Sequence, residues 1–240
     1  MQTAWIIRSA ADEIPAKNGV IVFAAGWAGS DELVRRRPLP EGYDFLCLYD
    51  YRTLPSPEET VNLYAWLEPY RTRHLIAWSF GVWAAGRIFG ESPVGWDTAT
   101  AIGGTPRPVS DRYGIPERAF AVTVRSIGGA GTVKFLERMC GTPEILREYY
   151  RHRSTRPLEE IYEELLSLRR QALAAPPELP EPGFWTRAVV GGRDAIFPPE
   201  QMRRYWNEAG VPVEVCPDMP HYPLYEPHIL TSCIAPDETR

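Results

Sequence analysis

Ser79 stands in 73-RHLIAWSFGVWAAGRIF-89, between a short apolar run and an amphipathic helical pattern. Its neighbours Trp78 and Phe80 are large, whereas Ala77 and Gly81, two positions away on either side, are small. A strand that turns sharply into a helix exposes one side chain at the tip of a sheet. The residues two before and two after it must be small, or they clash with the backbone around the turn. The stretch reads as that G-x-S-x-G turn with Ala77 in place of the first glycine. The motif alone is a weak signal, and a plainer role for Ser79 is to cap the helix that follows. If the hydroxyl is a nucleophile, it needs a base, and the base needs an orienting acid.

The order expected on such a sheet is serine, then acid, then histidine. Asp194 follows an apolar run in 189-VVGGRDAIFPPEQ-201, and His221 follows another in 211-VPVEVCPDMPHYPLYEP-227. Both lie past the carboxyl ends of expected strands, the edge where α/β folds gather their sites. The other histidines are placed less well. His74 opens a strand at the opposite edge, His152 lies in an arginine-rich helix where solvation is expected, and His228 sits a turn or two into the last helical pattern. His228 stays open as a competitor of His221. Asp97 precedes its strand, and Asp218 shares the loop of His221. Asp194 has an alternative role too, an Asx-turn paired with Arg193. Developing negative charge on an acyl oxygen needs two backbone N–H groups. Phe80, after the serine, would supply one. Trp27, after Gly26 in 23-FAAGWAGS-30, would supply the other, or would simply line a rim.

Those residues must be positioned by a sheet. Apolar runs at 20–30, 45–51, 74–78, 98–104, 185–192 and 211–216 read as strands. Helical patterns lie between most of them, including 58–70 with apolar spacing at Val61, Tyr64, Ala65 and toward Leu67, and 80–89. The alternation predicts a mainly parallel sheet with helices on both faces. From about 106 to 175 there is no strand pattern; 133–140, 144–153 and 157–175 read as helices, and the tract 176-PPELPEPG-183 as a stiff connector. The expectation is one domain over 1–240 with a helical lid inserted at about 106–180, and a loop and short helix at 221–235.

Bulk properties exclude other classes. The 240 residues carry a net charge of −5, which argues against nucleic-acid binding. No apolar stretch is long enough to span a bilayer, and the first residues show no secretory pattern, so a cytoplasmic protein is expected. Cys47, Cys140, Cys216 and Cys233 form no metal-ligand spacing. They read as free thiols, a cysteine nucleophile being the minor alternative.

Beyond these residues, the chain resembles the BioG-type pimeloyl-[acyl-carrier protein] methyl ester esterases, of the α/β-hydrolase superfamily. The stretches that carry the resemblance are FAAGWAGS, YDYRTL, LIAWSFGVWAA, TAIGGTPRPVSDRYGIPE, KFLERMCG, RPLEEIYEEL, GGRDAIFPPEQMRRYW and PHYP, spread over about 19–225. Alanine at the first elbow position is part of the resemblance. The hydrolase pattern often has histidine before the first loop glycine; Ala25 stands here, which the family tolerates. The resemblance implies an α/β-hydrolase fold and demethylation of a pimeloyl chain carried on acyl-carrier protein in biotin synthesis. Ser79 would be the nucleophile, His221 the base and Asp194 its orienter, with the Phe80 and Trp27 amides holding the oxyanion, and no metal or organic cofactor would be needed.

An apolar acyl chain needs an apolar channel, and Trp27, Trp78, Phe80 and Trp83 cluster around the serine in sequence. Lys134, Arg138, Arg147, Arg151, Arg153 and Arg156 give the lid segment a basic excess that could dock an acidic carrier. Alternatively they form a solvated face with intrahelical pairs such as Glu148 with Arg151. Two rival functions remain: another serine esterase or thioesterase of the same fold, and a non-catalytic binding protein.

Overall fold

The structure is a computed structural model that describes residues 1–14, 17–174 and 183–235. Its centre is a seven-stranded sheet in the order β1-β3-β2-β4-β5-β6-β7. The strands are β1 (Gln2–Ile7), β2 (Gly19–Ala24), β3 (Tyr43–Tyr49), β4 (Arg73–Trp78), β5 (Thr98–Ile102), β6 (Arg187–Gly191) and β7 (Val213–Cys216). Every neighbouring pair is parallel except β1 with β3. β2 is buried along its whole length, which requires cover on both faces of the sheet and explains an unbroken apolar run rather than alternation.

The helices are α1 (Glu32–Arg35), α2 (Pro57–Leu67), α3 (Phe80–Phe89), α4 (Glu117–Ser126), α5 (Ala130–Cys140), α6 (Pro143–His152), α7 (Leu158–Ala174), α8 (Pro199–Glu208) and α9 (Ile229–Ser232). Local chemistry sets several starts. Ser56 and Glu59 form a reciprocal capping box at α2, with Pro57 in its first turn. The Thr142 side chain caps α6 ahead of Pro143. α4 to α7 fill the interval between β5 and β6: α4 packs on α5 and α7, and α5 on α6.

The fold departs from the sequence expectation in a few places. β1 is a short, half-exposed edge strand whose pattern is too mixed to stand out. α4 carries Val122, Thr123 and Val124, β-branched residues of weak helix preference, and forms because Phe120 and Val124 bury one stripe. On α2, Val61 points to solvent, 65% exposed, and Leu63 joins the expected Leu67 on the buried side. The proline tract at 176–182 lies outside the described residues. No helix among the described residues is long and apolar enough to cross a membrane.

Candidate active site

β4 delivers Ser79 to the carboxyl edge of the sheet. The serine adopts φ 58° and ψ −127°, a left-handed conformation uncommon for any residue with a side chain. Its N–H is held by the Ile102 carbonyl at 2.9 Å. The small neighbours are required by contact. A Cβ on Gly81 would come within 2.1 Å of the Ala24 carbonyl oxygen, and one on Gly104 within 2.4 Å of the Ser79 carbonyl oxygen. Ala77 is fully buried. Although Ser79 occupies the position before α3, its side chain makes no capping bond. The hydroxyl lies instead 2.9 Å from Nε2 of His221.

His221 Nδ1 lies 2.7 Å from Oδ2 of Asp194. The other carboxylate oxygen, Oδ1, accepts the Ile196 and Phe197 amides at 2.8 Å each. The Asx-turn and the histidine contact are therefore simultaneous roles of one carboxylate, while Arg193 pairs with Asp218. An ionised Asp194 accepts only, so Nδ1 carries the proton and Nε2 is left to accept from Ser79. The ring is clamped: Phe197 stacks on it at 5.8 Å and 9°, and the Trp78 indole N–H donates to the His221 carbonyl at 2.8 Å. Two glycines let the loops of Asp194 and His221 meet, since a Cβ on Gly191 or Gly192 would lie 2.5 Å from the Met219 or Pro217 carbonyl oxygen.

The remaining candidates separate by position. His74 is buried at the far end of β4 against Thr98, and His228 is exposed at the start of α9. His152 is not solvated as expected; it is largely covered and contacts Glu148. Burial pushes all four cysteine thiols up, Cys140 and Cys233 to about 12, which makes poor nucleophiles of them.

The loop after β2 lies against the serine, for a Cβ on Gly26 would stand 3.0 Å from that of Ser79. The Trp27 and Phe80 residues border the same cleft, and Trp78 forms its wall. Trp83 does not line it. One turn further along α3, it is carried down into the core and is 3% exposed. Apolar residues that the sequence reading missed complete the cleft, among them Phe120 of α4, Phe135 and Met139 of α5, and Leu165 of α7. The i, i+4 spacing of Phe135 and Met139 was the available signal. Trp27 meets Phe135 edge-on at 5.2 Å, and a second apolar cavity continues beyond this pair toward Leu33 and Tyr149.

The basic residues divide. Lys134, Arg138, Arg147, Arg151 and Arg153 are exposed, Arg147 and Arg151 being paired within α6 to Glu144 and Glu148. Arg138 reaches the Ala195 carbonyl at 2.6 Å and borders the cleft; Arg153 lies over Tyr150 and borders the second cavity. Arg156 is not available for docking. It is 9% exposed and bound to Asp50 and Glu164 at 2.9 Å each, because its place before α7 turns it inward. Burial pushes the Glu164 carboxyl up, against the pull of Arg156.

Residues 12–227 match the family described as pimeloyl-ACP methyl esterase BioG. The chain belongs to that family. It is 32% identical over 224 residues to a malonyl-[acyl-carrier protein] O-methyltransferase of Bacteroides fragilis; the match covers 92% of this chain but 42% of that protein, so the chain spans less than half of its relative. BioG from Haemophilus influenzae superposes with a TM-score of 0.80 at 29% identity, over 97% of this chain and 99% of that one. An esterase from Exiguobacterium antarcticum shares the fold, with a TM-score of 0.63 at 18% identity over 86% of each chain. The α/β-hydrolase fold expected from the elbow and the residue order is thus the fold of this BioG-family chain.

Proposed function

We propose that this chain is a serine carboxylesterase that removes the methyl group from pimeloyl-[acyl-carrier protein] methyl ester, releasing methanol. The observation that carries the reading is the Ser79–His221–Asp194 relay, 2.9 and 2.7 Å between successive partners, opening into an apolar cleft. Family membership supports the substrate. Ser79 Oγ attacks the ester carbonyl as its proton passes to His221 Nε2, and Asp194 stabilises the imidazolium. The Trp27 and Phe80 amides hold the oxyanion. The tetrahedral adduct collapses, His221 protonates the departing methoxide, and methanol leaves an acyl-serine. Water then gives a proton to His221 and attacks the acyl carbon, and the proton returns to Ser79 as the free carboxylate forms. The apolar walls suit the methylene chain. The exposed cations Lys134, Arg147 and Arg151 on α5 and α6 would face an acidic carrier, Arg138 and Arg153 being nearer the cavities.

The test is demethylation of the carrier-linked ester by wild type beside Ser79→Ala. Turnover that vanishes in the variant is expected. Absent turnover with fluorophosphonate labelling of Ser79 would retain the hydrolase and discard the substrate. Absent turnover and absent labelling would discard the nucleophile and leave a binding protein. Preferential cleavage of the carrier thioester would make the chain a thioesterase.

A further inference from the structure

We propose that Glu164 is a positioning residue for the oxyanion loop, acting from α7; the proposal rests on the esterase reading of Ser79 and Trp27. Glu164 has no exposed surface. Its Oε2 accepts the Ala28 amide at 3.2 Å, and its Oε1 accepts the Tyr51 amide at 2.8 Å. These amides belong to the loops after β2 and β3. A third donor, Arg156, reaches Oε2 at 2.9 Å and also the Gly29 carbonyl at 3.1 Å. The Trp27 indole N–H donates to the Ile161 carbonyl of α7 at 2.8 Å. Trp27 is therefore pinned by its side chain and by the peptide plane on its carboxyl side, and both anchors come from the first half of one helix.

The pinning is needed because Ala28 sits at φ 62°, a conformation that alanine leaves unless something holds it. Relaxation of Ala28 toward an ordinary conformation would shift the Trp27 backbone at the end of the preceding peptide, and the N–H of that peptide must be fixed before negative charge develops. A buried carboxylate is a costly way to fill a helix face toward the core. Here it supplies two acceptor oxygens where two loop amides converge, which no apolar residue does. Glutamine fills the same volume but has one acceptor, so one of the two amides would face an N–H donor.

The experiment uses the full chain, a p-nitrophenyl butyrate substrate and an alkyl trifluoromethyl ketone, whose serine adduct carries an oxyanion like that of the intermediate. Glu164→Gln is expected to lower kcat by about 10²-fold, the effect of one lost oxyanion donor, with KM nearly unchanged. The ketone should lose affinity by the same factor, because it samples the same differential binding. A purely structural role would instead lower the melting temperature and spare the ratio. A folded Glu164→Gln with wild-type kcat, or with reduced kcat and unchanged ketone affinity, would overturn the proposal. If that variant does not fold, Arg156→Lys serves. It keeps the buried charge and loses the bond to Gly29, so a lower kcat and weaker ketone binding are expected, and wild-type values overturn the idea. If wild type neither turns over nor reacts with a fluorophosphonate, the esterase reading falls and takes this proposal with it.

Discussion

Asp194→Asn is close to isosteric, so its effect depends on which atom of the new amide faces His221. Asp194 Oδ1 accepts two backbone amides at 2.8 Å, and Oδ2 faces His221 Nδ1 at 2.7 Å. An asparagine must keep its oxygen toward the Ile196 and Phe197 amides. The flipped arrangement would set –NH2 against two donors and forfeit two hydrogen bonds of about 1 kcal/mol each, besides leaving buried N–H groups unpaired. The asparagine nitrogen then points at Nδ1 and donates to it. Nδ1 must be bare, Nε2 carries the proton, and the Ser79 hydroxyl meets a donor where it had an acceptor. The expected loss is about 10⁴-fold in kcat, the known scale for trapping a triad histidine in the wrong tautomer, or about 5.5 kcal/mol. Because the wall of the cleft is unchanged, KM for a short p-nitrophenyl ester should hold. Nitrogen-15 resonances of His221 should report an Nδ1–H tautomer in wild type and Nε2–H in the variant. A drop of only about tenfold, roughly 1.4 kcal/mol, with the tautomer unmoved, would refute the assignment of Asp194 as the group that sets the histidine.

Three further outcomes are expected. Gly81→Ala places a Cβ 2.1 Å from the Ala24 carbonyl oxygen and 2.6 Å from that of Ala25, both backbone atoms that cannot step aside. It should lose about 3 kcal/mol of stability, read as a lower urea midpoint; an unchanged midpoint would mean α3 docks differently. His74 and His152 are both held below the ordinary 6.5 chiefly by burial, so below pH 6.5 the unfolded chain takes up protons before the folded one does. Stability should therefore fall as pH drops from 6.5 through the folded-state values, and urea titrations of His74→Asn should show a shallower fall; equal slopes would remove His74 from the account. Replacing Lys134, Arg147 and Arg151 with alanine should raise KM for the carrier-linked ester and spare the p-nitrophenyl ester, whereas equal losses on both would reject docking at α5 and α6.

The relay and the strands that carry it were legible for a local reason. Ser79 and Asp194 each follow a buried strand by a few residues, His221 follows the short, partly exposed β7, and the glycines that permit the turns are adjacent in sequence. Other residues were less so. Arg156 reads as one more cation of a basic segment, and only the return of α7 against the ends of β2 and β3 turns it inward to Asp50 and Glu164. Trp83 shares the composition of the cleft tryptophans but sits one helical turn too deep. α4 was hidden because its helix is set by tertiary burial of Phe120 and Val124 rather than by preference.

A common principle joins these long-range contacts. Among the described residues, three other than glycine have positive φ: Ala28 after β2, Asp50 after β3 and Ser79 at the end of β4, neighbours across the carboxyl edge of the sheet. Each such residue costs of order 1–3 kcal/mol and persists only where its surroundings hold it. Ser79 is held from within the sheet, by the Ile102 carbonyl and the space left at Gly81 and Gly104. Asp50 is held by Arg52 and Arg156, and Ala28 by Glu164. Two of the three supports thus come from α7 or the turn before it. The serine's conformation belongs to the sheet, whereas that of the loop proposed to hold the oxyanion depends on the helices between β5 and β6. A displacement of α7 would then leave Ser79 and His221 in contact while loosening the amides that we propose receive the charge. On this reasoning, the inserted helices do more than roof an apolar cleft, and their docking is part of what makes the serine competent.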